Sequence, residues 1–273
     1  MTMILDGHIH IGSIDTRPEP FLERMAEAGI DGGVLFSAFP KNFTPTAAPD
    51  AERLEQVLRF CEGSPLLFPF YFIDPTAEDA PAQVDTAIAA GIRGFKIICT
   101  DFYPSDPRCM ETLHHIAATG KPVVFHSGIL WNGIGASGRY NRPVEFEPML
   151  SVKGLRFALA HISWPWCDEC IAVYGKLDNA VKNEHAVGGM RIDNTPGTPK
   201  IYREDALRKT LLSGYDVLTN LYFGSDNFTE DYRIGWVRDW IDTDTQIYQQ
   251  AGLTDSQISR IFCDNLLAFI HGN

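Results

Sequence analysis

The sequence predicts an α/β protein of the (β/α)8 TIM-barrel class, one domain over residues 1–273, on three observations. Eight short apolar runs alternate with helical patterns along the 273 residues. The ends of these runs, at His10, Ser37, Asp74, Ile98, His126, His161, Asp193 and Asp226, follow one another at intervals of 27, 37, 24, 28, 35, 32 and 33 residues, one βα unit per interval. No GxGxxG follows the first run, where an open doubly wound sheet would place its phosphate turn. Right-handed crossovers close eight such strands most economically into a barrel.

The strands are expected at MILDGHIH (3–10), GGVLFS (32–37), LLFPFYFID (66–74), IRGFKII (92–98), PVVFHS (122–127), LRFALAH (155–161), AVGGMRID (186–193) and LYFGSD (221–226). Between them PFLERMAEAG, DAERLEQVLRFCEG, APAQVDTAIAAG, PRCMETLHHIAATG and REDALRKTLLSG repeat apolar residues at three and four positions. They carry Pro or acidic residues near their starts and Gly at their ends, the signals that start and stop helices. The tail LTDSQISRIFCDNLLAFIHG reads as the closing helix, with Thr254 or Asp255 as its cap.

Composition narrows the function classes. The chain holds 23 Lys and Arg against 35 Asp and Glu, a net charge of −12, which is opposite to what nucleic acid or an anionic lipid surface attracts. No window approaches a membrane span, and the first residues lack a basic segment and an apolar run of signal-peptide length. Six cysteines in a chain of this size fit core thiols in a reducing compartment better than a disulfide framework. The expectation is a cytoplasmic protein with a small-molecule substrate and no nucleic-acid or membrane partner, compatible with self-association into a homo-oligomer.

The chemistry is concentrated at the strand ends. His8 and His10 stand two apart in the first strand, so alternation places them on one face, with Asp6 beside them, lining the interior at the C-terminal rim. His126, His161 and Asp226 end the fifth, sixth and eighth runs, and in a barrel all five metal-competent side chains converge on one mouth. This nitrogen and oxygen set suits Zn²⁺ first, with Mn²⁺ or Fe²⁺ as alternatives.

With DGHIHIG, GFKI, FHSG, AHIS, GSDN and the DNLLAFI tail in place over nearly its whole length, the sequence resembles the amidohydrolase superfamily of metal-dependent TIM-barrel enzymes, in its amidohydrolase-related (amidohydrolase 2) branch. The resemblance implies that His8, His10, His126 and Asp226 ligate metal, and that His161 either binds a second metal or acts as an acid or base. Lys96 would be a carbamylated bridge between two metals, or a structural ion pair near the rim. Many relatives follow that Lys with His-Pro; this chain has Ile97-Ile98-Cys99.

The reaction implied first is hydrolysis of a small-molecule amide, lactone or ester-like bond, with Asp226 and His161 as the catalytic pair. The alternatives are a metal-dependent nonoxidative decarboxylase of a small carboxylic acid, aromatic acids included, and a catalytically silent metal-binding barrel. For the substrate, Arg139, Tyr140 and Arg142 on the Gly-rich loop after the fifth strand, with Trp131, Trp164, Trp166, Arg191 and Asp193, are candidates, and a guanidinium there would clamp a carboxylate. Cys167 and Cys170 form a CxxC read as a helix-start coincidence, and His114-His115 falls in a helical pattern away from any strand end.

Overall fold

The computed structural model describes residues 3–131, 137–183, 185 and 188–272. Strands β1 (Leu5–His10), β2 (Gly32–Phe36), β3 (Leu67–Phe72), β4 (Gly94–Ile97), β5 (Val123–Phe125), β6 (Arg156–Leu159), β7 (Gly189–Asp193) and β8 (Leu221–Tyr222) pair in parallel, each with the next in sequence. A short β9 (Asn227–Phe228) pairs in parallel with β1. β8 and β9 are two halves of one interrupted eighth strand. Between them the Gly7 N–H donates to the Phe223 carbonyl at 2.9 Å, and the Asp226 N–H donates to the His8 carbonyl at 3.0 Å. The sheet therefore closes on itself, which removes both of its edges.

Helices α1 (Pro18–Glu27), α2 (Asp50–Cys61), α3 (Ala80–Ala90), α4 (Pro107–Ala118), α5 (Cys167–Lys182), α6 (Lys200–Leu211) and α7 (Ile234–Gln250) occupy the crossovers. Their boundaries have local causes. Pro stands in the first turn of α1, α3 and α4, where a missing N–H costs nothing, and Gly91 at φ 104° ends α3 in the left-handed conformation. After β5 two 3-10 segments, Ser137–Asn141 and Pro143–Ser151, take the place of a regular helix, and Pro148 removes a donor from the second.

Strand alternation divides the core in two. Leu5, Val34, Phe36, Phe70, Val124 and Tyr222 fill the barrel, while neighbours such as Ile9, Leu35, Tyr71, Phe95 and Phe125 pack outward against the helices. At the chain end Thr254 caps α8 (Asp255–Ser259) through a capping box with Gln257. A π-turn at Arg260–Asp264 then leads into α9 (Asn265–His271). Leu266, Phe269 and Ile270 of α9 join the barrel interior, and Arg156 at the start of β6 donates to the Phe269 and Ile270 carbonyls. The closing helix thus plugs the N-terminal end, and the C-terminal mouth stays open.

The strands are shorter than their apolar runs, because the last residues of each run leave the ladder to form the mouth. Residues 186 and 187 of the seventh run lie outside the described residues. No helix among the described residues is long and apolar enough to cross a membrane. All six cysteines are free and buried. Cys167 and Cys170 sit in the first turn of α5, where burial pushes their thiols up to about 11 and about 12, away from the thiolate that metal binding requires.

Candidate metal centre

The centre begins with an irregularity in β1. Its register against β2 runs Leu5–Gly32 and Asp6–Gly33, then Ile9–Leu35 and His10–Phe36, so β1 carries one extra residue between Asp6 and Ile9. This bulge breaks the alternation. A Cβ on Gly7 would lie 2.7 Å from the Tyr222 ring inside the barrel, and the next residue, His8, also points inward, meeting the Phe36 ring edge-on at 4.8 Å. Asp6 faces the other way, which corrects the expectation that it lines the interior with the two histidines. It accepts hydrogen bonds from the His8 N–H (3.1 Å), the Ser225 N–H (2.8 Å), the Ser225 hydroxyl (2.5 Å) and the Tyr232 hydroxyl (2.8 Å). Burial lifts its pKa to about 6 against these donors. Asp6 thereby ties the strand bearing His8 and His10 to the turn bearing Asp226.

Asp226 occupies that turn in a left-handed conformation, φ 56°. Its Oδ1 lies 3.6 Å from His8 Nε2 and 3.5 Å from His10 Nε2, and the two imidazole nitrogens are 3.1 Å apart. The ligand atoms of His8, His10 and Asp226 all lie within 4.8 Å of one another. Burial opposes charge on Asp226, but the hydrogen bond from His10 and the nearby imidazoles and Lys96 outweigh it and hold the carboxyl below its ordinary value.

His126 and His161 complete the ring of imidazoles. The ring of His161 lies 5.0 Å from that of His126 and 5.2 Å from that of His8. His161 follows β6 in a tight turn where His161, Ile162 and Ser163 all have positive φ, at 64°, 46° and 56°. For residues with a Cβ, and above all for β-branched Ile162, this conformation is strained, and such strain collects at functional sites. Ile162 is held by complete burial in the outer core.

The donor set fits a divalent cation. Desolvation lowers the pKa of all four histidines, that of His161 to about 4, so the imidazoles are neutral, the form that ligates. His126 Nε2, His161 Nδ1 and His10 Nδ1 are buried without a hydrogen-bond partner, a state that costs about 1–3 kcal/mol for each polar group left so. The remaining nitrogen of His8, Nδ1, bonds Asp193 Oδ2 at 2.6 Å, and Asp193 in turn accepts from the N–H and hydroxyl of Thr195. A carboxylate behind an imidazole fixes its tautomer and aims the opposite nitrogen at the metal position. Asp193 thus supports His8 from beneath.

Lys96 shares the interior face of β4 with Gly94, whose missing Cβ leaves room for the Phe70 ring. Its Nζ is fully buried, 3.3 Å from His8 Nε2 and 4.9 Å from the Phe36 ring centroid. Among the described residues no carboxylate stands within ion-pair distance of it, so the rim ion pair is corrected in favour of a place at the centre. Burial drives its pKa down to about 8, against the pull of Asp193 and Asp226.

Above the cluster lies a cavity of about 200 Å³, into which His10, Lys96, His126, His161 and Asp226 project. Trp131 and Trp164 line it, as expected for pocket residues, and so do Phe39, Phe43 and Phe228, which the sequence did not single out. The other substrate candidates do not reach it. Arg139 lies over the Tyr140 ring and bonds its hydroxyl, while Arg142 pairs with Glu169 on α5 and lies over Trp166. Arg191, two residues below Asp193 on β7, runs beside Tyr174, Tyr222 and Arg156. The rest of the proposed lid, 132–136, lies outside the described residues.

Fold and site together define a TIM barrel with four histidines and an aspartate gathered at the C-terminal face of its strands. No family model matches the sequence, and no curated protein is found similar to it. Solved structures are similar in fold along its length. An uncharacterized TIM-barrel protein from Bordetella bronchiseptica matches with a TM-score of 0.69 at 17% identity, covering 98% of this chain and 99% of that one. A probable 2-pyrone-4,6-dicarboxylic acid hydrolase from Acinetobacter baumannii, solved with citric acid bound, matches at 0.63 and 15%, covering 99% and 100%. An amidohydrolase from Burkholderia ambifaria with bound Zn matches at 0.52 and 13%, covering 93% and 69%. The chain has the fold of the amidohydrolase-type TIM barrels.

Proposed function

We propose that this protein is a metal-dependent hydrolase of the amidohydrolase superfamily that cleaves an amide, lactone or ester-like bond of a small molecule. The observation that carries the reading is the convergence of ligand atoms of His8, His10 and Asp226 within 4.8 Å of one another, with His126, whose Nε2 is buried without a hydrogen-bond partner, lining the same cavity. The relative solved with zinc and the probable hydrolase of the same fold support it.

In this reading His8, His10, His126 and Asp226 hold the cation, zinc before manganese or iron. Lys96, if carbamylated, would add an oxygen donor beside His8. The ion would supply Lewis acidity, bringing a water's pKa towards about 7 and polarising the substrate carbonyl. Asp226, kept ionised among the imidazoles, takes the proton from the attacking water and returns it to the leaving atom. His161, on the cavity wall, donates a hydrogen bond to the oxygen on which charge develops. The products are an acid and an alcohol or amine, or a single hydroxy acid where the substrate is a lactone.

The test is a panel of aryl esters, lactones and amides, with arylcarboxylic acids beside them, assayed before and after chelation. Acid release that disappears with the metal and returns on adding Zn²⁺ or Mn²⁺ is the expected result. Release of CO₂ from the acids instead would replace hydrolysis by decarboxylation, and inertness throughout would leave a silent barrel.

A further inference from the structure

We infer that the cavity takes a neutral aromatic substrate and discriminates against one that carries a carboxylate away from the reacting bond. The inference rests on the hydrolase reading for the reacting bond, though not for binding. One wall is an aromatic stack. Phe39 and Phe228 lie against the His10 ring at 5.8 and 5.4 Å, inclined by 22° and 28°, and Phe43 stacks on Phe39 at 4.5 Å. On the other side Trp164 stacks on Tyr202 at 4.9 Å. At the mouth Trp131 is 76% exposed and Phe228 40% exposed, large apolar surfaces that gain by being covered.

Charge points the same way. Among the described lining residues Lys96 is the basic side chain other than the histidines, and its Nζ is engaged beside His8. The nearby arginines are turned away onto Tyr140, Glu169 and Trp166. A carboxylate outside the reacting centre would lose hydration there without an Arg or free Lys to replace it, beside the charge of Asp226. A flat apolar ring would instead gain buried area and aromatic contacts.

The test uses a matched pair of amides, 1-naphthamide and 5-carbamoyl-1-naphthoate, whose carboxylate lies away from the reacting amide, titrated calorimetrically into the full chain as purified and again after chelation. Naphthamide is expected to bind at least about tenfold more tightly in both states. Trp131→Ala, at an exposed position, and Phe43→Ala, at a half-buried one, are each expected to weaken naphthamide about three- to tenfold, with metal content and unfolding midpoint unchanged. Carbamoylnaphthoate binding as tightly as naphthamide in either state, or naphthamide binding indifferent to both substitutions, would overturn the inference. Failure of the hydrolase reading shows differently, as absent turnover with the binding preference intact.

Discussion

Asp226→Asn is expected to leave the barrel folded and to lower kcat by about a thousandfold, the scale of a removed general base that also serves the metal. The substitution is close to isosteric, and Asn tolerates the left-handed backbone at this position better than Ala would. The backbone N–H of residue 226 keeps its bond to the His8 carbonyl, so strand closure survives. What disappears is the negative charge 3.5–3.6 Å from two imidazole nitrogens. Far-ultraviolet circular dichroism and the unfolding midpoint should match the parent, while steady-state kinetics on the best substrate of the panel reports the loss. Activity within tenfold of the parent would remove Asp226 from the roles given to it.

The largest expected effect on stability lies outside the site. Arg203 on α6 and Asp244 on α7 form a two-pronged ion pair, Nε to Oδ1 at 2.9 Å and an Nη to Oδ2 at 2.6 Å, with both side chains fully buried. Asn194, the residue after Asp193, donates to Asp244 at 3.3 Å and to the Tyr248 hydroxyl at 2.5 Å. Asp244→Ala strands the guanidinium in the interior and is expected to cost about 3–5 kcal/mol, a large part of a typical domain's stability. The double variant Arg203→Met/Asp244→Leu should recover most of this, because it removes both charges together. Urea denaturation measures both; a loss below about 1 kcal/mol for Asp244→Ala would show that the pair is not what holds α6 to α7.

The barrel was legible because its signals are periodic and repeated. Each strand carries its own apolar run, five of the helices (α1, α2, α3, α4 and α6) carry their start and stop residues, and the C-terminal face follows from the strand ends. The site was legible as a residue set, since His8, His10, His126, His161 and Asp226 all stand where a strand finishes. Its finer geometry was not. Period-two reading sent Asp6 inward, and only the bulge turns it outward; Gly7, an isolated glycine within a strand, was the available signal. The left-handed run His161-Ile162-Ser163 contains no glycine, so nothing in the local sequence announces it. Asp193 stood out as a pocket candidate, but its bond to His8 joins residues 185 apart in sequence. Phe39, Phe43 and Phe228 escaped because an apolar cavity wall and an apolar core are written with the same residues. Arg139 and Arg142 were drawn to the mouth by their loop, whereas Tyr140 and Glu169 offered them nearer partners.

The central claim is that His8, His10, His126 and Asp226 form a metal centre, and elemental analysis of the purified full chain tests it most directly. About one equivalent or more of zinc, manganese or iron per chain is expected, falling by at least about tenfold in His126→Ala while the protein remains folded. Less than about 0.2 equivalents of any transition metal after growth with added zinc or manganese would contradict it, as would full metal content in the His126 variant.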